Sequence, residues 1–481
     1  MTSARRGASV VALSAIALVP AVALGSVWQY AEANVPPPTT TTTTTVPPEP
    51  TAELATELLS FRRHPEPLAE AAAAAAEVVT AGRLVDALTD QLGAGACLSI
   101  TAADGTPIVE LAPDEALIPG GTNKLLVAAV ALDELGSAHT FRTELFAAAP
   151  PVDGVIAGDV YLVGGGDPLL VTAGVADPHR FPAFNTTPIE PLADALVALG
   201  VTRIDGALVA DSGRYDEEFR PPSWPAGVTT TDAGPIGALL IDDGQIDPGN
   251  YGLDPSFAAA RVFADLLTAR GIAIAGRTDS RPRPDAPLAS LGFVESRPLD
   301  DVIVEMLHTD DHNTAEMLLK EIGRSATGAG TRQAGLDTVW ARLSGWGVPL
   351  AGVALADGSG LSRDNRLTCA ALTGLLASSP VADELLDLLP VAGRDGILTS
   401  ELLGTPADGE LRAGVGALTA VKGLAGRTRD GAGEPTTLAV LLNGDGVADP
   451  SVYAPLWEQV VALVARLPVE IEPDDAPFAP R

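Results

Sequence analysis

Residues 35–50 read VPPPTTTTTTTVPPEP, and this segment limits the fold more than any other. Its prolines cannot donate to a helix or sheet ladder, and its threonine run has no apolar periodicity. Such a stretch cannot bury a core and reads as an extended, polyproline-like or disordered spacer. Everything that folds around a core must lie beyond it. Ahead of it, Arg5 and Arg6 precede an apolar run from Ala8 to Trp28. That run approaches the ~20 residues needed to span a bilayer. Ala31–Glu32–Ala33 offers a cleavage pattern. Residues 1–33 therefore read as a signal peptide or signal anchor, and 34–50 as a Thr/Pro-rich linker. The body is expected outside the cytoplasm, either secreted or anchored to the cytoplasmic membrane by its N-terminal helix. The linker lets it stand off from a membrane.

Charge narrows the partners. Over 481 residues, 30 Lys and Arg face 62 Asp and Glu, a formal net charge of −32. Nucleic-acid binding needs clustered cations to neutralise phosphates and is excluded. Anionic lipid surfaces are disfavoured too, so membrane contact is expected only through the N-terminal segment. The chain has three lysines, Lys124, Lys320 and Lys422. Cys97 and Cys369 are too few for a disulfide framework or a cysteine-rich metal site, leaving one bridge or two buried thiols. The five histidines show no HxH or HExxH spacing, so neither a metal nor a cofactor is expected.

Beyond the linker the pattern mixes helices and strands. Thr51 to Gln91 is helical in period, with an Ala-rich stretch from Ala71 to Ala76. CLSITAADGTPIVELAP alternates like a hairpin turning at Asp104–Gly105. An apolar-faced helix is expected over 122–136, short strands over 155–295, helices over 300–345 and a helix from Thr368 to Ala377. Strands follow from Arg412 to Leu442, then a closing helix from Pro455 to Arg466. The class is α+β.

Six segments carry a resemblance. They are ALIPGGTNKLLVAAVALDELG (116–136), GDVYLVGGGDPLL (158–170), GALVADSGRYD (206–216) with Trp224 soon after, NTAEMLLKEIG (313–323), DGSGLSRDN (357–365) and LPVAGRDGIL (389–398). In this order they resemble the class C penicillin-binding proteins, the D-Ala-D-Ala carboxypeptidase/endopeptidase family of serine peptidases, over roughly 85–465. The resemblance implies a penicillin-binding/β-lactamase-like transpeptidase fold with an inserted β-rich region between the first and second motifs. Residues 51–144 and 296–468 would form one discontinuous domain, 145–295 the insert and 469–481 a tail.

The family's chemistry is acyl transfer through S-x-x-K, S-x-N and K-T-G motifs. A serine hydroxyl is a weak nucleophile at its free pKa and needs the lysine one helical turn later. Placed on this chain, S-x-x-K falls on Gly121–Thr122–Asn123–Lys124, so the nucleophile position is Gly121 and only Lys124 remains. Thr122, two residues before Lys124, points to another helix face. S-x-N falls on Asp310–Asp311–His312; a one-residue gap would instead give Asp311 and Asn313. K-T-G falls on Gly414–Val415–Gly416. Arg412 shares the strand face of Gly414 and is read as an ordinary edge arginine, with a contribution to the groove as the alternative. Because the second-motif serine approaches the first-motif lysine in the family, Asp310 or Asp311 is expected to pair with Lys124.

Other candidates read as structural. Ser359 and Ser362 sit in a loop that is not G-x-S-x-G. Gly164–Gly165–Gly166–Asp167–Pro168 lacks the following GKS/GKT of a phosphate loop and reads as a turn capped by Asp167. Asp242–Asp243 and Asp310–Asp311 read as solvated acidic faces. The resulting expectation is a D-alanyl-D-alanine carboxypeptidase-like pseudoenzyme of peptidoglycan metabolism. It would have a cell-envelope binding or regulatory role toward peptidoglycan or a cell-wall synthesis protein. The alternatives are an active carboxypeptidase with atypical site residues and a structural wall-spanning spacer.

Overall fold

The computed structural model describes residues 95–467 apart from 174–182, 229–231 and 248–249, together with Leu88, Gln91 and Leu92. The N-terminal segment, the linker, most of the 51–91 helical pattern and the 469–481 tail lie outside the described residues.

The main strands are β1 (Ala96–Ala102), β2 (Pro107–Leu111), β3 (Arg142–Ala147), β4 (Val160–Val163), β5 (Leu208–Asp211), β6 (Asp279–Ser280), β7 (Ala289–Glu295), β8 (Arg412–Leu418), β9 (Val421–Arg429) and β10 (Pro435–Asn443). The helices of eight residues or more are α1 (Lys124–Leu135), α2 (Glu190–Ala198), α3 (Pro255–Ala269), α4 (Leu299–Thr309), α5 (His312–Thr327), α6 (Arg332–Gly345), α7 (Cys369–Ser378) and α8 (Pro450–Val464).

The first sheet runs β8-β9-β10-β1-β2 and is antiparallel throughout. Strand alternation splits its side chains between two cores, because successive residues point to opposite faces. Cys97, Ala425, Ala439 and Leu441 face the helical core built on α1, α4, α5 and α7. Leu98, Ile100, Leu424, Leu438 and Val440 face the core capped by Trp457 of α8. Helix α1 reads KLLVAAVALDEL and is buried from Lys124 to Leu132, as a helix apolar all round must be. Cys97 and Cys369 form a disulfide between β1 and the first turn of α7, which resolves the open choice at these residues.

The second sheet runs β6-β5-β4-β3-β7 and is mixed, with β4-β5 and β5-β6 parallel. Its core of Leu145, Leu162, Leu208 and Phe263 is separate from the first two. The region read as strands alone also holds α2 and α3. Helix α3 carries its own start signal: Asp254 accepts hydrogen bonds from Ser256 and Phe257 backbone N–H groups, and Pro255 opens the helix. The closing helix likewise begins at Pro450 rather than Pro455, because Asp449 caps it through Ser451 N. Pro455 lies inside that helix.

Candidate functional site

Helix α1 is entered through a 3₁₀ turn, Gly120–Asn123, so Gly121 lies one turn ahead of Lys124. Pro119 and Gly120 bring this turn against β8: a Cβ on Gly416 would stand 2.2 Å from Pro119 O. Thr122 is fully buried and its hydroxyl donates to Pro119 O at 2.8 Å. Asn123 donates to Asp357 O at 2.8 Å, fastening the turn to the 357–365 loop.

Between α4 and α5 the chain makes a corner. Asp310 ends α4 in the left-handed conformation (φ 64°), which aspartate tolerates better than most residues. Asp311 caps α5, accepting from Thr314 N at 3.2 Å. The corner delivers two groups to one ammonium: Lys124 Nζ lies 2.5 Å from Asp310 Oδ1 and 2.9 Å from His312 Nδ1. The lysine is 1% exposed. Asp310, not Asp311, makes the pair with Lys124. Burial pushes the Asp310 carboxyl upward, but Lys124 and then His312 override that and hold it below its ordinary value. Asn313 accepts from Gly234 N and donates to Asp243 Oδ1.

Space beside Gly121 and Gly414 is already taken. A Cβ on Gly121 would stand 2.6 Å from Asp310 Oδ1, 2.7 Å from Val415 O and 3.3 Å from Lys124 Nζ. The Asp310 carboxylate thus occupies the place a side chain at 121 would need. A Cβ on Gly414 would stand 2.8 Å from Leu125 Cδ2.

A cavity of about 650 Å³ opens beside this corner, lined by Asp310, Asp311, His312, Val415, Ala417 and Lys422 among others. Lys422 was not singled out in the sequence. The signal was the hairpin itself: with the turn at Thr419–Ala420, Ala417 pairs with Lys422 across β8 and β9. Its ammonium lies 4.2 Å from the Tyr453 ring centroid and 5.1 Å from that of Trp457. Arg412 does not line the cavity; it donates to Asp387 O at 3.2 Å. Lys320 is 3% exposed and bonds Asp216 and Glu218 O, each at 2.7 Å.

The expected solvated acids need correction. Asp242 is buried and accepts from the backbone N and hydroxyl of Thr172 at 2.8 and 2.7 Å, while Asp310 holds the lysine. These carboxylates are drawn inward by specific donors rather than left to water. Asp167 accepts from Leu169 N at 3.0 Å after the left-handed Gly166, a turn as read. Ser359 and Ser362 are fully buried in the 357–365 loop, which Asp357 organises by accepting from Trp224 Nε1, Gly360 N, Ser362 N and Asn365 Nδ2. Among the described residues no three His, Cys, Asp or Glu side chains are grouped to hold a metal ion.

The chain matches the D-Ala-D-Ala carboxypeptidase 3 (S13) family over residues 82–251 and 252–467. It belongs to that family. It is similar to a carboxypeptidase of Mycobacterium tuberculosis, 32% identical over 395 residues that cover 79% of this chain and 83% of that protein. It is also similar to a D-alanyl-D-alanine carboxypeptidase of an Actinomadura species, 28% identical over 437 residues that cover 74% of this chain and 78% of that protein. The crystal structure of penicillin-binding protein 4 from Haemophilus influenzae superposes with a TM-score of 0.69 at 20% identity, covering 79% of this chain and 99% of that one. That likeness shows the fold, an α+β penicillin-binding/β-lactamase-like fold with additional β regions. The S13 carboxypeptidases are a family of peptidoglycan metabolism.

Proposed function

We propose that this chain is a non-catalytic member of the S13 family, acting in the cell envelope by binding peptidoglycan or a cell-wall synthesis protein. The observation that carries the reading is the Asp310 carboxylate, 2.6 Å from where a Cβ on Gly121 would stand. No side chain at 121 is available to attack a peptide carbonyl, and Lys124 is paired with Asp310 and His312. The Thr122 hydroxyl next to position 121 donates to Pro119 O. Losing a serine-hydrolase nucleophile costs on the order of 10⁶ in kcat, and residues acting as a unit are not additive. A glycine at 414, packed over by Leu125, removes the cation that the K-T-G strand would offer to a substrate carboxylate. The Cys97–Cys369 disulfide supports an extracytoplasmic location, where such bonds persist.

Two measurements test this. Incubation with a fluorescent penicillin followed by denaturing electrophoresis should give no covalent band; a labelled peptide spanning residue 121 would overturn the reading and favour an active carboxypeptidase. Purified protein mixed with peptidoglycan sacculi, or with detergent-solubilised envelope proteins, should be retained by one of them. Retention by neither would leave the spacer alternative standing.

A further inference from the structure

Two acids lie buried together behind the turn that carries Gly121. Glu316 on α5 is 2% exposed, and Asp357 in the 357–365 loop is 1% exposed. Asp357 takes four N–H donors, two on each oxygen. Gly360 N and Asn365 Nδ2 lie 2.8 and 2.6 Å from Oδ1, and Trp224 Nε1 and Ser362 N lie 2.9 and 2.6 Å from Oδ2. These fill its lone pairs, so no proton fits and Asp357 is the anion. Glu316 takes Gly358 N and Ser359 N at 3.0 and 2.8 Å, both on Oε1, which leaves Oε2 to carry a proton. Arg332 brings a guanidinium nearby, but Glu218 holds it at 2.6 and 3.2 Å and Ala356 O at 2.8 Å. That cation faces three carboxyls, Glu218, Glu316 and Asp357. Two neighbouring buried carboxyls without a cation of their own do not both ionise. We propose that Glu316 is a proton-held latch: protonated, it fixes the 357–365 loop to α5, and ionised in alkali it releases the loop and the turn at Gly121.

The loop is what seats the turn. Asn123 donates to Asp357 O and Gly358 O at 2.8 and 3.2 Å, and a Cβ on Gly360 would stand 1.9 Å from Gly120 O. The charged groups around Glu316 come from several elements: Asp357 from the loop, Arg332 from α6, Glu218 from the segment before Trp224, and Lys320 one turn along α5, bonded to Asp216. From α1 the loop meets Asn123 and Val127, which do not titrate. Burial, and after it the charge of Asp357, pushes the Glu316 carboxyl up to about 8. Opening that wets Glu316 returns it to its ordinary 4.5. Each pH unit between those two values therefore favours the open loop about tenfold, and above about 8 both forms are ionised and the gain stops. The latch is independent of what the groove binds.

Amide hydrogen exchange of the full chain, followed by NMR and corrected for the intrinsic pH dependence of exchange, tests the latch. The reporters are the amides of Gly358 and Ser359, which donate to Glu316, and that of Lys124, which donates to Gly121 O. In the wild type their protection should fall about tenfold per pH unit from roughly pH 6 to 8 and level off above that. Glu316→Gln keeps the acceptor and has no proton to lose, so its protection should stay flat over the same range. Flat protection in the wild type, or the same slope in Glu316→Gln, overturns the proposal. A slope at Gly358 and Ser359 with none at Lys124 overturns the coupling to the turn. Should Glu316→Gln fail to fold, carbon NMR of wild-type protein labelled at the glutamate carboxyls decides. A glutamate carboxyl titrating near pH 8 is expected; complete titration of all of them below roughly pH 6 overturns the proposal.

Discussion

Lys124 is the charged residue in an otherwise apolar helical turn, and its charge is met by Asp310 and His312. Taking an ammonium out of water is costly unless it is paired and hydrogen-bonded, so removing one partner costs far more than removing both. Asp310→Ala should therefore destabilise the protein by about 3 kcal/mol, and the double variant Lys124→Met/Asp310→Leu should recover most of that loss, both read from urea unfolding midpoints. The pair also has an acid limit. Because the folded Asp310 pKa lies below its unfolded value, its stabilisation is present above the unfolded pKa and fades as pH falls through the folded one. Gly121→Ser is the obvious attempt at restoring catalysis. Its Cβ meets Asp310 and the Val415 carbonyl, so the variant should lose ~1–3 kcal/mol through overpacking and still give no acyl adduct with penicillin by intact mass. A stable acyl adduct on Ser at 121 would show that one side chain separates this groove from catalysis. The residue types at 121, 124, 310, 312 and 414 were legible in the sequence. Their fit was not, since a 2.6 Å approach across 189 positions depends on how two distant elements pack.

At the scale of elements, α5 and the 357–365 loop meet through a buried acid pair. Glu316 accepts from Gly358 N and Ser359 N, and Asp357 sits beside it in the same loop. Burial, and after it the charge of Asp357, pushes the Glu316 carboxyl up to about 8. A folded pKa raised above the ordinary 4.5 means the native state binds the proton more tightly. Stability from this group is full below the unfolded pKa and is lost as pH rises toward about 8. Glu316→Gln keeps an acceptor for both amides without a titrating proton, so its melting temperature should fall less than the wild type's between pH 5 and 8.5. Parallel curves would remove Glu316 as the cause. The loop ties to α1 through Asn123, so this acid pair supports the turn that holds Gly121. The alternating and helical patterns placed most of these elements, the hairpin at Asp104–Gly105 and the helix capped by Thr368 among them. They missed α2 and α3 because the Gly and Pro turn signals around them outweighed two genuine helix starts.

For the whole molecule, the disulfide joins β1, the strand beside the β2 edge of the first sheet, to α7, with 272 positions between the two cysteines in sequence. Closing so long a loop restricts the unfolded chain, with an effect of roughly 5 kcal/mol as an upper bound in the chain-entropy model. Cys97→Ala/Cys369→Ala should lower the unfolding free energy by about 2–5 kcal/mol without changing the fold seen by circular dichroism. A loss below ~1 kcal/mol would mean that the cores on both faces of the sheet suffice. Taken by itself, the sequence determined the α+β class, the family, the net charge of −32, and the glycine three residues before Lys124. These follow from composition, local periodicity and short segments that can be read without knowing what they touch. The tertiary structure alone decided that the cysteines bridge, that Asp310 rather than Asp311 meets the lysine, that His312 joins it, and that Lys422 enters the groove. Each of these is a contact between segments far apart in the chain, made by packing and burial rather than by any local rule.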